Sequence, residues 1–123
     1  MLHIPLLRFG VPYKSVDVAT TPHHRTGKPF VEMSQANVGL ISRDLLKQHE
    51  ARAALQRFTV AELIAICKSA APIFLEDTLP VGDEQQTTKD YLAQLNATTG
   101  MPFAMGTRNM GRVAAVLENL ESI

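Results

Sequence analysis

The sequence predicts a helix-rich α/β chain in which an amino-terminal β-hairpin or a few short strands precede about four helices. Glycine and proline divide residues 1–36 into short segments, some of which alternate with the period of a strand. From about residue 38, apolar residues recur at spacings of three and four, as in an amphipathic helix. We therefore expect a single partial domain, with strands and turns in residues 1–36 and a helical part in residues 37–123.

The amino-terminal third is predicted to be extended. Residues 2–9 form a short apolar segment that ends at a glycine, and residues 13–19 alternate roughly between two sides. Residues 30–34 have the composition of a strand. Between them, residues 26–29 (T-G-K-P) are a turn signal, because glycine tolerates positive φ and proline donates no hydrogen bond. A hairpin across residues 13–34 follows.

The first predicted helix runs from about residue 38 to residue 55 as one amphipathic element, weakened at its start by Gly39. Its predicted face consists of Val38, Ile41, Leu45, Leu46 and His49, followed by Ala53 and Leu55.

The second helix has the clearest start signal in the chain. Thr59 and Glu62 form a capping box, and Phe58 is placed to pack on Leu63 as a hydrophobic staple. Because proline lacks an amide hydrogen and clashes with the preceding turn, Pro72 is predicted to kink this helix or end it near residue 71. The predicted apolar stripe consists of Leu63, Ile66, Cys67, Ala70 and Phe74.

Residues 77–86 are predicted to be a loop with turn residues at Pro80 and Gly82-Asp83. Thr87 caps a third helix that ends at Gly100. Pro102 is placed in the first turn of a final helix that runs toward residue 120. The predicted face of that helix consists of Val113, Val116, Leu117 and Leu120.

Composition excludes several classes of function. Twelve basic and twelve acidic residues balance to zero net charge, and their scatter leaves no basic patch for nucleic acid. The single cysteine, Cys67, excludes an internal disulfide framework and favours a reducing, cytoplasmic setting. No apolar run approaches the roughly 20 residues of a membrane span, so we expect no membrane partner.

Four phrases, taken in order, resemble the start of the aldehyde dehydrogenase superfamily. Residues 26–33 (T-G-K-P-F-V-E-M) are similar to its T-G-E-P-I-A-E-V hairpin, and residues 51–55 (A-R-A-A-L) to the end of its next helix. Residues 58–75 are similar to a helix of the form L-P-V-A-E-R…L…A-A…L. Residues 97–117 are similar to E-T-G-K-P and the helix that follows it.

The chain departs from this pattern in three places. Thr98 and Met101 stand where the family usually has glutamate and lysine, and the segment 79–87 is longer than usual. These differences favour a divergent branch, closer to the acyl-CoA-reducing members.

The resemblance implies a scaffold role. In that family the opening segment packs outside a dinucleotide-binding domain, and the catalytic cysteine, the general-base glutamate and the oxyanion-site asparagine all come later in the chain. The resemblance therefore implies NAD or NADP for a complete protein, although we expect no cofactor bound by residues 1–123. It also implies a homo-oligomer whose partner is the rest of its own enzyme or another chain.

No catalytic, cofactor-binding or metal-binding residue is predicted in these 123 residues. Cys67 is interpreted as a core residue, because a reactive thiol needs an electropositive and partly exposed site. His23 and His24 are expected to point to opposite faces of an extended segment and to be polar surface or turn residues. His3 and His49 are too isolated in the sequence to complete a metal site.

The remaining candidates have structural explanations. The capping box accounts for Glu62, and Asp83 and Glu84 are expected to be solvated loop residues. Gly100, Gly106 and Gly111 have the approximate spacing of a dinucleotide fingerprint but follow a helix rather than a strand. The methionines are interpreted as core fillers rather than a partner surface; they are Met101, Met105 and Met110.

Two functions remain open. The first is the noncatalytic amino-terminal scaffold of an NAD(P)-dependent aldehyde dehydrogenase-like oxidoreductase. The second is a stand-alone small helical module that binds a protein partner. The ending at residues 121–123 (E-S-I), without a capping glycine or a polar tail, favours a truncated chain and hence the first function.

Overall fold

The computed structural model describes residues 1–122, which form short strands in three small sheets and five α-helices. The strands are β1 (Leu2–Ile4), β2 (Leu6–Arg8), β3 (Val11–Tyr13), β4 (Val18–Pro22), β5 (Pro29–Ser34), β6 (Leu79–Val81) and β7 (Glu84–Gln86). The helices are α1 (Val38–Leu45), α2 (Gln48–Leu55), α3 (Val60–Glu76), α4 (Thr88–Thr99) and α5 (Phe103–Glu118), followed by a 3₁₀ turn, Leu120–Ser122. The mixed α/β class is confirmed at this level, and Ile123 lies outside the described residues.

The predicted hairpin is confirmed, with shorter strands than expected. β4 and β5 pair antiparallel, and β1 adds to the free edge of β5 in parallel, giving the order β1-β5-β4. Tyr13 belongs to β3 rather than to the hairpin, and of the strand predicted across residues 13–19 only residues 18 and 19 lie in β4. The Ser15 amide donates to the Ser34 hydroxyl and not to the backbone of a neighbouring strand, so this residue does not continue the sheet.

The apolar segment 2–9 contains two strands of different sheets. Pro5 separates them, since it has no amide hydrogen to continue a ladder. β2 pairs antiparallel with β3 across a two-residue turn at Phe9 and Gly10, both of which have positive φ.

The single helix predicted over residues 38–55 is wrong, because the chain forms α1 and α2 with a break at Leu46 and Lys47. Neither helix contains a buried residue, so no core packing holds one continuous helix together. The side-chain oxygen of Asn37 caps α1 by accepting from the Leu40 amide at 2.9 Å, which compensates for Gly39 near the start.

The capping box at Thr59 and Glu62 is confirmed. Of the two outcomes predicted for Pro72, a kink or an end near residue 71, the end is wrong. α3 continues through Pro72 to Glu76 and packs along α5, with Ala71 fully buried. That packing compensates for the missing backbone hydrogen bond at Pro72, because proline has no amide hydrogen to donate. Ile66, predicted to lie on the buried stripe, is about half exposed.

The segment predicted to be a loop, residues 77–86, instead contains the hairpin β6–β7. Its turn is Gly82-Asp83, with φ of +63° at the glycine. A Cβ atom at Gly82 would lie 2.4 Å from the His3 carbonyl oxygen, so this turn is packed directly against β1. Glu84 is accordingly a strand residue, not a loop residue.

The predicted ends of α4 are confirmed. Thr87 caps it together with Asp90, and Gly100 closes it in the left-handed conformation. Pro102 is the residue directly before α5 and does not lie in the first turn of that helix. The predicted face of α5 is partly wrong, because Val113 and Val116 are exposed. Its inner face instead carries Gly106, Met110 and Ala114.

Candidate functional site

The three-stranded sheet has two chemically different faces. Glu32 and Ser34 alternate with Val31 and Met33 along β5, so carboxylate and hydroxyl lie on one side and apolar groups on the other. β1 pairs His3 with Glu32, which places the imidazole on the polar face. The polar face and the apolar face are therefore separate candidate sites.

On the polar face, His3 bridges Ser34 and Glu32. Its Nε2 lies 2.9 Å from Ser34 Oγ, and its Nδ1 lies 3.4 Å from Glu32 Oε2. A hydroxyl, an imidazole and a carboxylate in this order are the groups of an activated serine nucleophile. However, Ser34 is only 5% exposed, and its Oγ also accepts the Ser15 amide at 3.0 Å. A substrate has no approach to this hydroxyl, so we assign the cluster the structural role of holding β1 and residue 15 onto β5.

Sequence reasoning missed this cluster. His3 is separated from its two partners by 29 and 31 residues, so it stands isolated in the sequence. The alternation of Glu32 and Ser34 was the available signal, since it places two polar groups on one side of a strand. Only the parallel pairing of β1 with β5 adds the histidine, and no local pattern specifies that pairing.

His23 and His24 do not point to opposite faces. Their rings stack at a centroid distance of 5.2 Å, because the chain turns after Pro22 and is no longer extended. The Ala97 carbonyl accepts from the His24 amide at 2.8 Å and lies 3.0 Å from His24 Nδ1. This pair therefore joins the hairpin turn to the last turn of α4.

The other candidates lie apart from one another. Cys67 is half-buried in the middle of α3, and His49 lies in the exposed helix α2. Among residues 1–122, no group of three histidine, cysteine, aspartate or glutamate side chains could hold a metal ion.

The acidic candidates make local contacts. The Thr59 amide and hydroxyl donate to Glu62 and hold the pKa of that carboxyl below its ordinary value. The ammonium of Lys14 pairs with Asp83 and likewise lowers the pKa of that carboxyl. These contacts stabilise a helix start and a turn, and neither carboxylate is placed for acid–base chemistry.

The glycines do not form a phosphate cradle. Gly100 ends α4, whereas Gly106 and Gly111 lie inside α5, where Gly106 allows close approach of Leu92. A dinucleotide fingerprint needs a turn between a strand and a helix. Gly100, Gly106 and Gly111 therefore do not form such a fingerprint.

Met101, Met105 and Met110 have different environments. Met110 is buried in the core, as predicted, whereas Met105 is exposed and Met101 is half-buried. Met101 and Met105 line a shallow depression with Arg108, Asn109 and Arg112.

The apolar face of the sheet borders a cavity of about 390 Å³. Ile4, Val31 and Met33 form its floor, and α4 covers it with Tyr91 and Leu95. The hairpin β6–β7 closes one side. No charged side chain lines this cavity, so it is suited to an apolar group.

The outer surface is large and carries many exposed apolar side chains. The accessible area is 9025 Å², about 2,500 Å² above the roughly 6,500 Å² expected of a self-contained monomer of 13.5 kDa. Val38, Leu46 and Val60 are each at least 74% exposed, and no large side chain in residues 1–122 is fully buried. The exposed apolar side chains of α1, α2 and the start of α3, together with Leu46 and Phe58, are called the arm surface below; its members are Val38, Ile41, Leu45, Leu46, Leu55, Phe58 and Val60.

In residues 1–122, no single helix is long and apolar enough to cross a membrane. α2 and α3, which are bent at 91° to each other, meet that criterion only as a pair, by length and composition alone.

No family model matches this chain, and neither a curated protein nor a solved structure matches it.

Proposed function

We propose that this chain is a noncatalytic scaffold segment that packs onto further protein, as the amino-terminal part of an NAD(P)-dependent aldehyde dehydrogenase-like oxidoreductase. The observation that carries the proposal is the excess of about 2,500 Å² of accessible surface. One partner in a standard protein–protein interface buries about 800 Å². The excess in this chain is about three times that area. A layer of a larger domain exposes a surface of this size when the layer that packs on it is removed.

The family part of the proposal rests on the ordered phrases and on the elements that carry them. The T-G-K-P turn lies in the β4–β5 hairpin, the V-A-E phrase opens α3, and T-T-G ends α4. A hairpin followed by capped helices agrees with the expected opening segment. In this proposal, oxidation of an aldehyde or reduction of an acyl thioester belongs to residues outside the chain, and these 123 residues supply packing surface only.

The first experiment tests the scaffold role. The full 123-residue chain is expressed alone, and its melting cooperativity, dye binding and self-association are measured. We expect strong binding of a hydrophobic dye and self-association, and a decrease in both when a partner covers Val38, Leu46 and Val60. A non-sticky monomer with a sharp melting transition contradicts a scaffold role.

A second experiment tests the family. The transcript is sequenced beyond codon 123. Under the proposal, the reading frame continues into a dinucleotide-binding motif and a later cysteine-containing loop. A stop codon directly after Ile123 contradicts the proposed family and leaves a stand-alone helical module as the remaining function.

The alternative is a stand-alone helical module that binds a protein partner. One observation favours it: α1 and α2 contain no buried residue and present an apolar side to solvent. If the chain is complete and monomeric, a partner that quenches dye binding at the arm surface supports the alternative.

A further inference from the structure

The cavity beneath α4 differs from the rest of the apolar surface because several elements form its walls, while one side stays open to solvent. It takes walls from β1, β4 and β5, from the hairpin β6–β7, and from α4. Its volume of about 390 Å³ lies within the range of small-molecule sites, roughly 300–1,000 Å³. The arm-surface residues Val38, Leu46 and Val60 do not line it, so covering that surface would leave the cavity unoccupied.

The polar groups of the lining are mostly satisfied already. Gln86 donates its amide to Gln94. The hydroxyls of Thr98 and Thr99 donate to the helix carbonyls of residues 94 and 95, at 2.9 Å and 2.6 Å. These walls therefore do not require water or an ion to complete their hydrogen bonds.

Two lining residues, Thr21 and Tyr91, differ from these because no hydrogen bond uses their hydroxyls among the described residues. A mainly apolar pocket with a few unused polar atoms is the usual pattern of a site that orients a small ligand.

We propose that this cavity is a preformed binding site for an uncharged, mainly apolar small molecule that carries one hydrogen-bonding atom for the hydroxyl of Tyr91 or Thr21. A charged ligand is disfavoured because no opposite charge lines the walls, and burial of an unpaired charge is costly. The inference does not rest on the proposed function, since it concerns a face of the sheet that the arm surface does not reach.

The test uses three six-carbon probes that differ in charge: hexan-1-ol, hexanoate and hexylammonium. Each is titrated into the full chain with ¹³C-labelled methyl groups. We expect saturable shifts at Ile4, Val31 and Met33, and hexan-1-ol should bind at least about tenfold more tightly than either ion. Val16 and Val60, which are exposed and lie outside the cavity, should not shift.

Two matched variants separate the cavity from the general surface. Thr98 and Thr107 are both helical, and each hydroxyl donates to the carbonyl four residues earlier, but only Thr98 lines the cavity. Thr98→Phe should weaken hexan-1-ol binding at least about tenfold by filling the space, whereas Thr107→Phe should leave it nearly unchanged. If Thr98→Phe does not melt cooperatively, intermolecular NOEs from the probe to Ile4 and Val31 in the unaltered chain decide instead.

Three results would overturn the proposal. The first is equal affinity for all three probes. The second is a set of shifts spread over Val16 and Val60, or absent from the cavity methyls in the NOE experiment. The third is a lack of native dispersion at the cavity methyls unless a protein partner is present, since the site would then not be preformed.

Discussion

Gly106 of α5 lies so close to Leu92 of α4 that a Cβ atom at position 106 would stand 2.8 Å from Leu92 Cδ2. The helices approach at this point because glycine has no side chain. Gly111, in the same helix, has no atom of another group within 4 Å of its ideal Cβ position. Close packing against α4 therefore requires glycine at position 106 but not at position 111. Substitutions at the two positions should have different effects on stability.

We expect Gly111→Ala to raise the free energy of unfolding by about 1 kcal/mol, because alanine is the better helix former. Gly106→Ala should raise the free energy of unfolding by less, because the Leu92 side chain must move to make room for the methyl group. Gly106→Leu should lower the free energy of unfolding by about 1–3 kcal/mol through overpacking. Urea unfolding of the three variants measures these differences. Equal stabilisation by alanine at both positions would show that α4 and α5 do not pack closely.

Ser34 is expected to stabilise the sheet rather than to react. Ser34→Ala removes the acceptor of the Ser15 amide and the partner of His3 Nε2. An unsatisfied buried polar group costs about 1–3 kcal/mol, so the free energy of unfolding should fall by that amount. Ser69→Ala is the matched control, because that exposed hydroxyl only donates back to its own helix. A loss no larger than that of the control would contradict the structural role of Ser34.

The sequence predicted those elements whose signals are local. The threonine and acidic residue of a capping box lie three positions apart, and the glycine that ends α4 lies directly after it. Thr59, Thr87 and Gly100 were identified for this reason. The β4–β5 hairpin also depends on neighbouring residues, those of its turn.

The errors share a different cause, which is packing between distant segments. Pro72 remains inside α3 because α5 covers that helix, and α1 separates from α2 because nothing covers either. On α5, the valines at 113 and 116 are predicted from their spacing to face the core, but the small Gly106 and Ala114 allow closer contact. The cavity was missed for the same reason, since its walls come from segments far apart in the chain.

Stability should fall in acid through Glu62 and Asp90. Their hydrogen bonds from Thr59 and Thr87 lower the pKa of each carboxyl in the folded chain below the ordinary values of 4.5 and 3.8. A lowered folded pKa gives a stabilisation that is present above the ordinary value and is lost as the pH falls through the folded pKa. The melting temperature should therefore be level near neutral pH and decline below about pH 4.5.

The double variant Glu62→Gln and Asp90→Asn checks this assignment. It should melt at a lower temperature than the unaltered chain near neutral pH, and the gap should narrow at about pH 3. Glu50→Gln is a control, because Glu50 lies in the first turn of α2, whose starting residue makes no side-chain cap. A gap that is independent of pH would show that these carboxylates do not carry the acid sensitivity.

Phe9 has a left-handed backbone conformation, which suits asparagine better than phenylalanine. Its φ is +51°, and with Gly10 at +80° it forms a two-residue turn between Arg8 and Val11. Left-handed conformations cost a bulky residue about 1–2 kcal/mol, and asparagine before glycine is preferred in such turns. We expect Phe9→Asn to raise the free energy of unfolding by about 1 kcal/mol. The lost contact is small, because Lys47 Nζ is 6.0 Å from the ring centroid.

The control for Phe9 is Phe103→Asn. Phe103 is exposed to a similar degree but starts α5 with no left-handed strain, so asparagine there should bring no gain. Denaturant midpoints of both variants are compared. A gain at position 103 as large as that at position 9 would mean that removal of an exposed aromatic, rather than relief of strain, is responsible.

The attachment of α1 to the sheets depends on a charge pair. Arg8 Nε donates to Asp44 Oδ2 at 2.7 Å, and a second guanidinium nitrogen contacts Oδ1, so the contact is bidentate. α1 contains no buried residue that could replace this contact by packing. We expect Asp44→Asn to accelerate amide hydrogen exchange across residues 38–45, because the neutral amide cannot accept two charge-assisted hydrogen bonds.

Asp83→Asn is the matched control, because it removes the exposed pair with Lys14 and lies far along the chain from α1. It should leave exchange in residues 38–45 unchanged, and neither variant should alter exchange in α3 or α5. Added salt should reproduce part of the Asp44→Asn effect in the unaltered chain by screening the charges. Unchanged exchange in α1 would show that the arm surface is held in place by contacts other than this pair. The orientation of α1 would then have to be explained by the Asn37 cap and its 2.8 Å bond to Asp17.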